Sequence, residues 1–202
     1  MTTPSREIRA VYTDQTIRVY QAYNNSIADA VLISQRFVDP WRVGRMTWIK
    51  PSAVWMGYRS GWASKDVNQN RILAIDLVRE AFDHLLQIAV PARHQESESD
   101  VIIQWDPERA LGGEFGREAM THPINEARSI QIGLRGRATE WMTGADPFNL
   151  TIPLISSITD VTDQFVKIGR LLEHGDLYGA ETLLPPERIY LPSTMVTHQP
   201  QP

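Results

Sequence analysis

Apolar and polar positions alternate strongly near the start of the chain. Ile8 to Tyr12 and then Thr16-Ile17-Arg18-Val19-Tyr20-Gln21-Ala22-Tyr23 are rich in β-branched and aromatic residues, with Asp14 and Gln15 between them. This predicts two short strands over 8–12 and 16–23. The period then changes: Ile27, Ala30, Val31, Ile33 and Phe37 fit one face of a helix opened by Asn25 or Ser26 and ended by Asp39-Pro40. Met46-Thr47-Trp48-Ile49 predicts a strand stopped at Lys50-Pro51, after which Ser52 caps a short helix through Tyr58 that Gly61 closes.

Residues 71–77 carry the most apolar strand pattern, followed directly by a helix over 79–90 with Phe82, Leu85, Leu86 and Ala89 on one side. A polar stretch over 91–100 reads as an exposed loop, and Val101-Ile102-Ile103-Gln104-Trp105 as a strand ending in Asp106-Pro107-Glu108-Arg109. Glycines 112, 113 and 116 mark turns. Residues 128–135 alternate strictly, so Ile130, Ile132 and Leu134 face one way and Ser129, Gln131, Gly133 and Arg135 the other. An amphipathic helix follows over 161–174, with Asp160 or Thr162 as its cap. The order of elements predicts an α+β protein, a mixed β-sheet core with flanking helices. It is read as a single domain over 1–192 with a flexible tail over 193–202.

Composition narrows the function classes. No apolar run reaches the roughly 20 residues of a membrane span, and the N-terminus has no apolar signal core, so no membrane partner and a cytoplasmic location are expected. The chain has no cysteine, which excludes disulfides, thiolate metal sites and cysteine nucleophiles. His84, His94, His122, His174 and His198 are scattered without metal-ligand spacing, so no metal is expected and each histidine is read as a surface residue. Phosphate-loop, dinucleotide-fingerprint and nucleophile-elbow patterns are absent.

Charge changes the picture more than composition does. The net charge is −4, yet residues 40–65 hold no acidic residue while Arg42, Arg45, Lys50, Arg59 and Lys65 supply five cations. The same stretch holds Trp41, Trp48, Trp55 and Trp62, four of the six tryptophans, together with Tyr58. Cations interleaved with flat rings suit phosphate clamping and base stacking. Tryptophans packed in a core under snorkelling arginines give the same string, and that reading stays open. Pro51 breaks any continuous helix through the seven-residue tryptophan spacing. Asp106 and Glu108, at a strand end, are candidates for acid–base or ribose contacts, against a plain proline turn. Gln131 and Arg135 lie on the polar side of their strand, where Gly133 leaves room for a ligand.

The strings at 16–23, 45–52 (Arg-Met-Thr-Trp-Ile-Lys-Pro-Ser), 58–62 (Tyr-Arg-Ser-Gly-Trp), 104–109 (Gln-Trp-Asp-Pro-Glu-Arg) and 128–135 (Arg-Ser-Ile-Gln-Ile-Gly-Leu-Arg) resemble the family catalogued as domain of unknown function four-two-nine-one. The resemblance runs from about residue 8 to 190 and implies a stand-alone microbial domain with no established activity.

The order of elements is more remotely similar to the ADP-ribosyltransferase fold. That likeness implies an enzyme of glycosyl transfer with NAD as cofactor, acting on nucleic acid or another target. Gln21 stands where one branch of those enzymes has His, and Gln131 where a Glu is wanted. A glutamine hydrogen-bonds a ribose but does not offset a developing positive charge.

The expectation is a nucleotide- or nucleic-acid-processing protein. Arg45, Lys50, Arg59 and Arg135 would bind phosphate, Tyr20, Tyr58 or Trp62 would stack on a base, and Gln21, Thr47 and Ser52 would complete the ligand contacts. Gln131, Asp106 or Glu108 would contact ribose or transfer protons. The alternatives are a non-catalytic module for single-stranded RNA or DNA and a protein-interaction domain.

Overall fold

The strand at Arg71–Val78 is buried on both faces, and the other elements are layered around it. The computed structural model describes residues 4–92, 99–113 and 120–193. In chain order it contains β1 (Ser5–Arg6), β2 (Ile8–Ala10), β3 (Thr16–Tyr23), α1 (Asn25–Ser34), β4 (Thr47–Ile49), α2 (Ala53–Ser60), β5 (Arg71–Val78) and α3 (Arg79–Ile88). Then follow β6 (Val90–Pro91), β7 (Val101–Leu111), β8 (Thr121–Leu134), α4 (Arg137–Trp141), β9 (Ile155–Asp160), α5 (Thr162–Glu173), α6 (Leu177–Thr182) and β10 (Arg188–Tyr190). A 3-10 turn, Val67–Gln69, precedes β5. The class is α+β, and the glycine at 116, the loop residues 93–98 and the tail 194–202 lie outside the described residues.

One sheet is antiparallel in the order β3-β5-β9, and the other is built on the long antiparallel pair β7-β8. On β8, β4 pairs antiparallel and β1 parallel, while β6 adds parallel to β7. Among the described residues the two sheets meet at one backbone bridge, Tyr20 with Lys50. The N–H of Tyr20 donates to Lys50 O at 2.8 Å and the N–H of Lys50 to Tyr20 O at 3.2 Å, so the mixed sheet curls into a half-barrel. A separate pair, β2 with β10, closes one end.

Helices cover both faces, which is why β5 reads as an unbroken apolar run rather than an alternating one. Leu73, Ile75 and Leu77 pack with Val31 of α1, Phe82 and Leu85 of α3, Trp141 of α4 and Ile130, Ile132 and Leu134 of β8. On the other side Ile72 and Ala74 pack with Tyr20, Met56 of α2, Trp62, and Phe165 and Ile168 of α5. Asp76, a carboxylate on β5, accepts both Nε and Nη2 of Arg18 on the paired β3 at 2.8 Å each.

Several elements differ from their expected limits for local reasons. The helix expected to reach Phe37 ends at Ser34, where Ser34 Oγ bonds Ala30 O and Arg36 O and Gln35 takes a left-handed conformation. The side chain of Gln35 then pairs with both backbone groups of Ile158, covering the free edge of β9. The strand expected to stop at Asp106-Pro107 continues as β7 to Leu111. Its ladder shifts register between Pro107 and Glu108, which accommodates a proline without an N–H. His84 is half-buried rather than exposed: its ring packs edge-on against Trp141 and Phe148. No helix among the described residues is long and apolar enough to cross a membrane.

Candidate functional site

A cleft of about 1010 Å³ opens at the seam between the two sheets. Beyond the Tyr20–Lys50 bridge the connection from β3 to β4 passes through side chains. Gln21 Nε2 donates to Thr47 Oγ1 at 2.6 Å and to Trp48 O at 3.3 Å, and Tyr23 OH donates to Gln21 Oε1 at 2.8 Å. These three side chains line the cleft.

The opposite wall is α2. Ser52 caps it, accepting the N–H of Trp55 at 3.3 Å, and Glu187 accepts the N–H of Ala53 at 2.6 Å. The first turn is therefore occupied by protein acceptors. Trp55, Met56 and Arg59 on this helix line the cleft, and Trp55 Nε1 donates to Pro107 O at 3.0 Å, tying the wall to β7.

Between the walls lies a floor from β4, β8 and β7. Trp48 pairs with Gly133, and a Cβ at Gly133 would stand 3.1 Å from the Trp48 ring, so the glycine lets that indole lie close on the sheet. Gln131 pairs with Gln104, and Gln104 Nε2 donates to Asp106 Oδ1 at 2.7 Å. Lys50 follows the Ile49–Ile132 pair, is 8% exposed, and donates from Nζ to Trp48 O at 3.2 Å. Burial, with Arg59 adding to it and Asp106 opposing, lowers its pKa to about 8.

Among the described residues four cations, Arg42, Arg45, Lys50 and Arg59, line the cleft against two carboxylates, Asp66 and Asp106. The local balance is positive in a chain whose net charge is −4. Of the residues singled out from sequence, the cleft brings together Gln21, Arg45, Thr47, Lys50, Arg59, Asp106 and Gln131.

The others sit elsewhere. Tyr20 and Trp62 are 2% and 3% exposed and pack on Phe165 in the second core. Tyr58 lies beneath Arg109, whose guanidinium carbon is 3.4 Å from the ring centroid. Arg135 donates from Nε to Ser99 O at 2.7 Å and holds the entry to β7. Glu108, past the register shift, is buried and accepts the N–H of Arg109 at 2.9 Å, and burial raises its pKa. Ser52 serves α2.

Sequence reasoning passes over Tyr23, Gln104, Asn68 and Gln69, all cleft-lining; Tyr20, Tyr58 and Trp62, the rings it names for stacking, do not line the cleft, whereas Trp48 and Trp55 do. The signal present for Gln104 is its place as the polar residue between Ile103 and Trp105 on an expected strand.

No curated protein matches this chain. The family model described as Domain of unknown function (DUF4291) matches residues 7–190, nearly the whole length, and the chain belongs to that family.

Proposed function

We propose that the seam cleft binds a phosphorylated nucleoside as the substrate of a nucleotide- or nucleic-acid-processing protein. Lys50, Arg59 and Arg45 receive the phosphate, and the half-buried rings of Trp48 and Trp55 flank the base. The observation that carries this reading is the gathering of four cations and two part-exposed indoles around one cleft. Its volume lies at the upper end of the few hundred to roughly 1,000 Å³ of ordinary ligand pockets.

NAD belongs to this ligand class, since it carries phosphates, riboses and two bases. The donor set suits its binding: cations for the phosphates, neutral amides for the sugars and bases. Transfer of ADP-ribose needs a carboxylate near the sugar carbon that becomes electron-poor. Gln131 is neutral, and of the two cleft carboxylates Asp106 lies on the strand paired with that of Gln131, so the role is assigned to Asp106.

Calorimetric titration of the full chain with AMP, NAD and a short RNA at low salt tests the reading. Saturable binding is expected, weakened at least about tenfold in an Arg45→Ala, Arg59→Ala double variant. Absence of saturable binding for all three ends the proposal. A second reading, a non-catalytic module for single-stranded nucleic acid, draws on the same part-exposed indoles. It predicts that RNA binds much tighter than AMP, with a steep fall in added salt and no turnover of labelled NAD.

A further inference from the structure

Of the four glutamines that line the cleft among the described residues, Gln21, Gln104 and Gln131 lie on its strands, and these three are not equivalent. The amide of Gln21 is held by Thr47, Trp48 O and Tyr23. The amide of Gln104 is held by Asp106. Gln131 is 4% exposed, and neither its Nε2 nor its Oε1 has a hydrogen-bond partner. Among the described residues, no other buried side chain leaves both a donor and an acceptor unmatched.

A buried amide with both ends unmet is costly in the free protein and rewards a ligand that meets them together. The complement is chemically specific. A phosphate or carboxylate offers acceptors only, so it would serve Nε2 and oppose Oε1; the anion belongs with Lys50 and Arg59. What fits Gln131 is a planar edge with a donor beside an acceptor, the pattern by which glutamine and asparagine read a base. The Trp48 ring, seated over Gly133 two residues along the same strand, stands beside that edge.

We infer that Gln131 is the base-reading residue of the cleft, pairing through both amide atoms with the donor–acceptor edge of a nucleobase. This deepens the nucleotide reading and rests on it. It also makes the neutral Gln131 a specificity determinant rather than an acid, base or charge stabiliser.

The test measures dissociation constants for ribose 5-phosphate, AMP, UMP and purine riboside 5′-monophosphate, which lacks the adenine amino donor. The proteins are the full chain and its Gln131→Met and Gln131→Leu variants, each first checked for an unchanged cooperative melt. At least one of AMP and UMP is expected to bind about tenfold or more tighter than ribose 5-phosphate. In whichever variant folds, that advantage should shrink to within about threefold while ribose 5-phosphate binding is unchanged. If AMP is the preferred ligand, purine riboside monophosphate should also lose most of the advantage.

Two results overturn the inference and leave phosphate binding standing: nucleotides no tighter than ribose 5-phosphate, or a preference that survives in the variants. If even ribose 5-phosphate fails to bind and nucleotides do too, the nucleotide reading falls with it.

Discussion

Tyr20 and Lys50 exchange both backbone hydrogen bonds, at 2.8 and 3.2 Å, and among the described residues this bridge is where the β3-β5-β9 sheet joins the sheet built on β8. The side chains of the two residues have opposite fates. Tyr20 is buried against Phe165, whereas Lys50 lines the cleft with its ammonium on Trp48 O. The seam thus holds a buried cation at the edge of a ligand-sized space.

That cation makes binding and stability depend on pH in opposite senses. The Lys50 pKa falls to about 8 from an ordinary 10.5, with burial the main cause and Arg59 adding to it. Below about pH 8 the native state carries a poorly solvated charge. Between 8 and 10.5 the unfolded chain binds more protons than the native one, so stability rises with pH through that window. Anion affinity moves the other way, weakening as Lys50 loses its proton above about pH 8. A Lys50→Met variant should be more stable near pH 7 by about 1–3 kcal/mol and should lose both dependences. Urea denaturation near pH 7 and pH 9.5, with AMP titrations at the same values, checks both. A stability difference between parent and Lys50→Met that does not move in the parent's favour from pH 7 to 9.5 contradicts the assignment, since Glu187 acts alike in both proteins.

Trp62 should behave as a core residue. Its ring packs on Phe165, and its Cβ would stand 2.7 Å from a Cβ added at Gly169 on α5. Alanine at a helix position is better than glycine by about 1 kcal/mol, but overpacking costs about 1–3 kcal/mol, and the rigid Cβ of Trp62 has little room to retreat. Gly169→Ala should therefore be destabilising on balance, and Trp62→Ala should cost about 3–5 kcal/mol. Neither should weaken nucleotide binding at temperatures where the variant is folded. A Trp62→Ala protein that melts like the parent but no longer binds would place the indole in the site instead.

The contrast between Trp62 and Trp55 marks how far the sequence was legible. Charge purity over 40–65 pointed to a cation-rich surface, and Arg45, Lys50 and Arg59 do share one cleft. Which tryptophan faces the cleft was not readable, because it depends on distant partners. Trp62 turns inward through the left-handed turn at Gly61 and its own positive φ, onto a glycine of α5. Trp55 is anchored outward by Pro107 O. The strand β3 was legible in position, and the later half of β8, with its strict alternation, in position and facing. The extension of β7 past Pro107 was not, since a proline reads as a stop until the register shift that accommodates it is known. Arg135, which alternation puts on the Gln131 side, is drawn to Ser99 O instead.

Glu187 supplies a second pH dependence, outside the cleft. It accepts the N–H of Ala53 at the start of α2, and burial, together with the nearby Glu108, raises its pKa to about 8 although Ala53 and Arg9 oppose the shift. The native state therefore keeps a proton that the unfolded chain releases from about 4.5 upward. Stability from this group is complete below 4.5 and is lost as pH rises toward 8. Glu187→Gln retains an oxygen for Ala53 and removes the charge. It should match the parent near pH 4.5 and exceed it near pH 8.5 by about 1–2 kcal/mol, a figure reduced for the partial exposure of the group. Denaturant midpoints at the two pH values measure this; a variant less stable than the parent near pH 8.5 would mean that the carboxylate is stabilised in its charged form.

Gly133 separates stability from ligand affinity. A methyl there would meet the Trp48 ring at 3.1–3.2 Å, tighter than ordinary contact, and the ring would have to shift by a few tenths of an ångström. It has somewhere to go, because Trp48 is half-buried and faces the cleft rather than a closed core. Alanine also recovers backbone entropy that glycine loses in a strand, worth about 0.5–1 kcal/mol. Gly133→Ala should therefore melt within about 0.5 kcal/mol of the parent or slightly above it, because these two effects nearly offset. Its affinity for AMP should fall several-fold, since the displaced indole crowds the space beside Gln131. Quenching of tryptophan fluorescence by AMP, set against the urea midpoint of the same protein, reads both quantities. Unchanged affinity in a variant with a moved indole would take Trp48 out of the binding site and leave the base to Trp55.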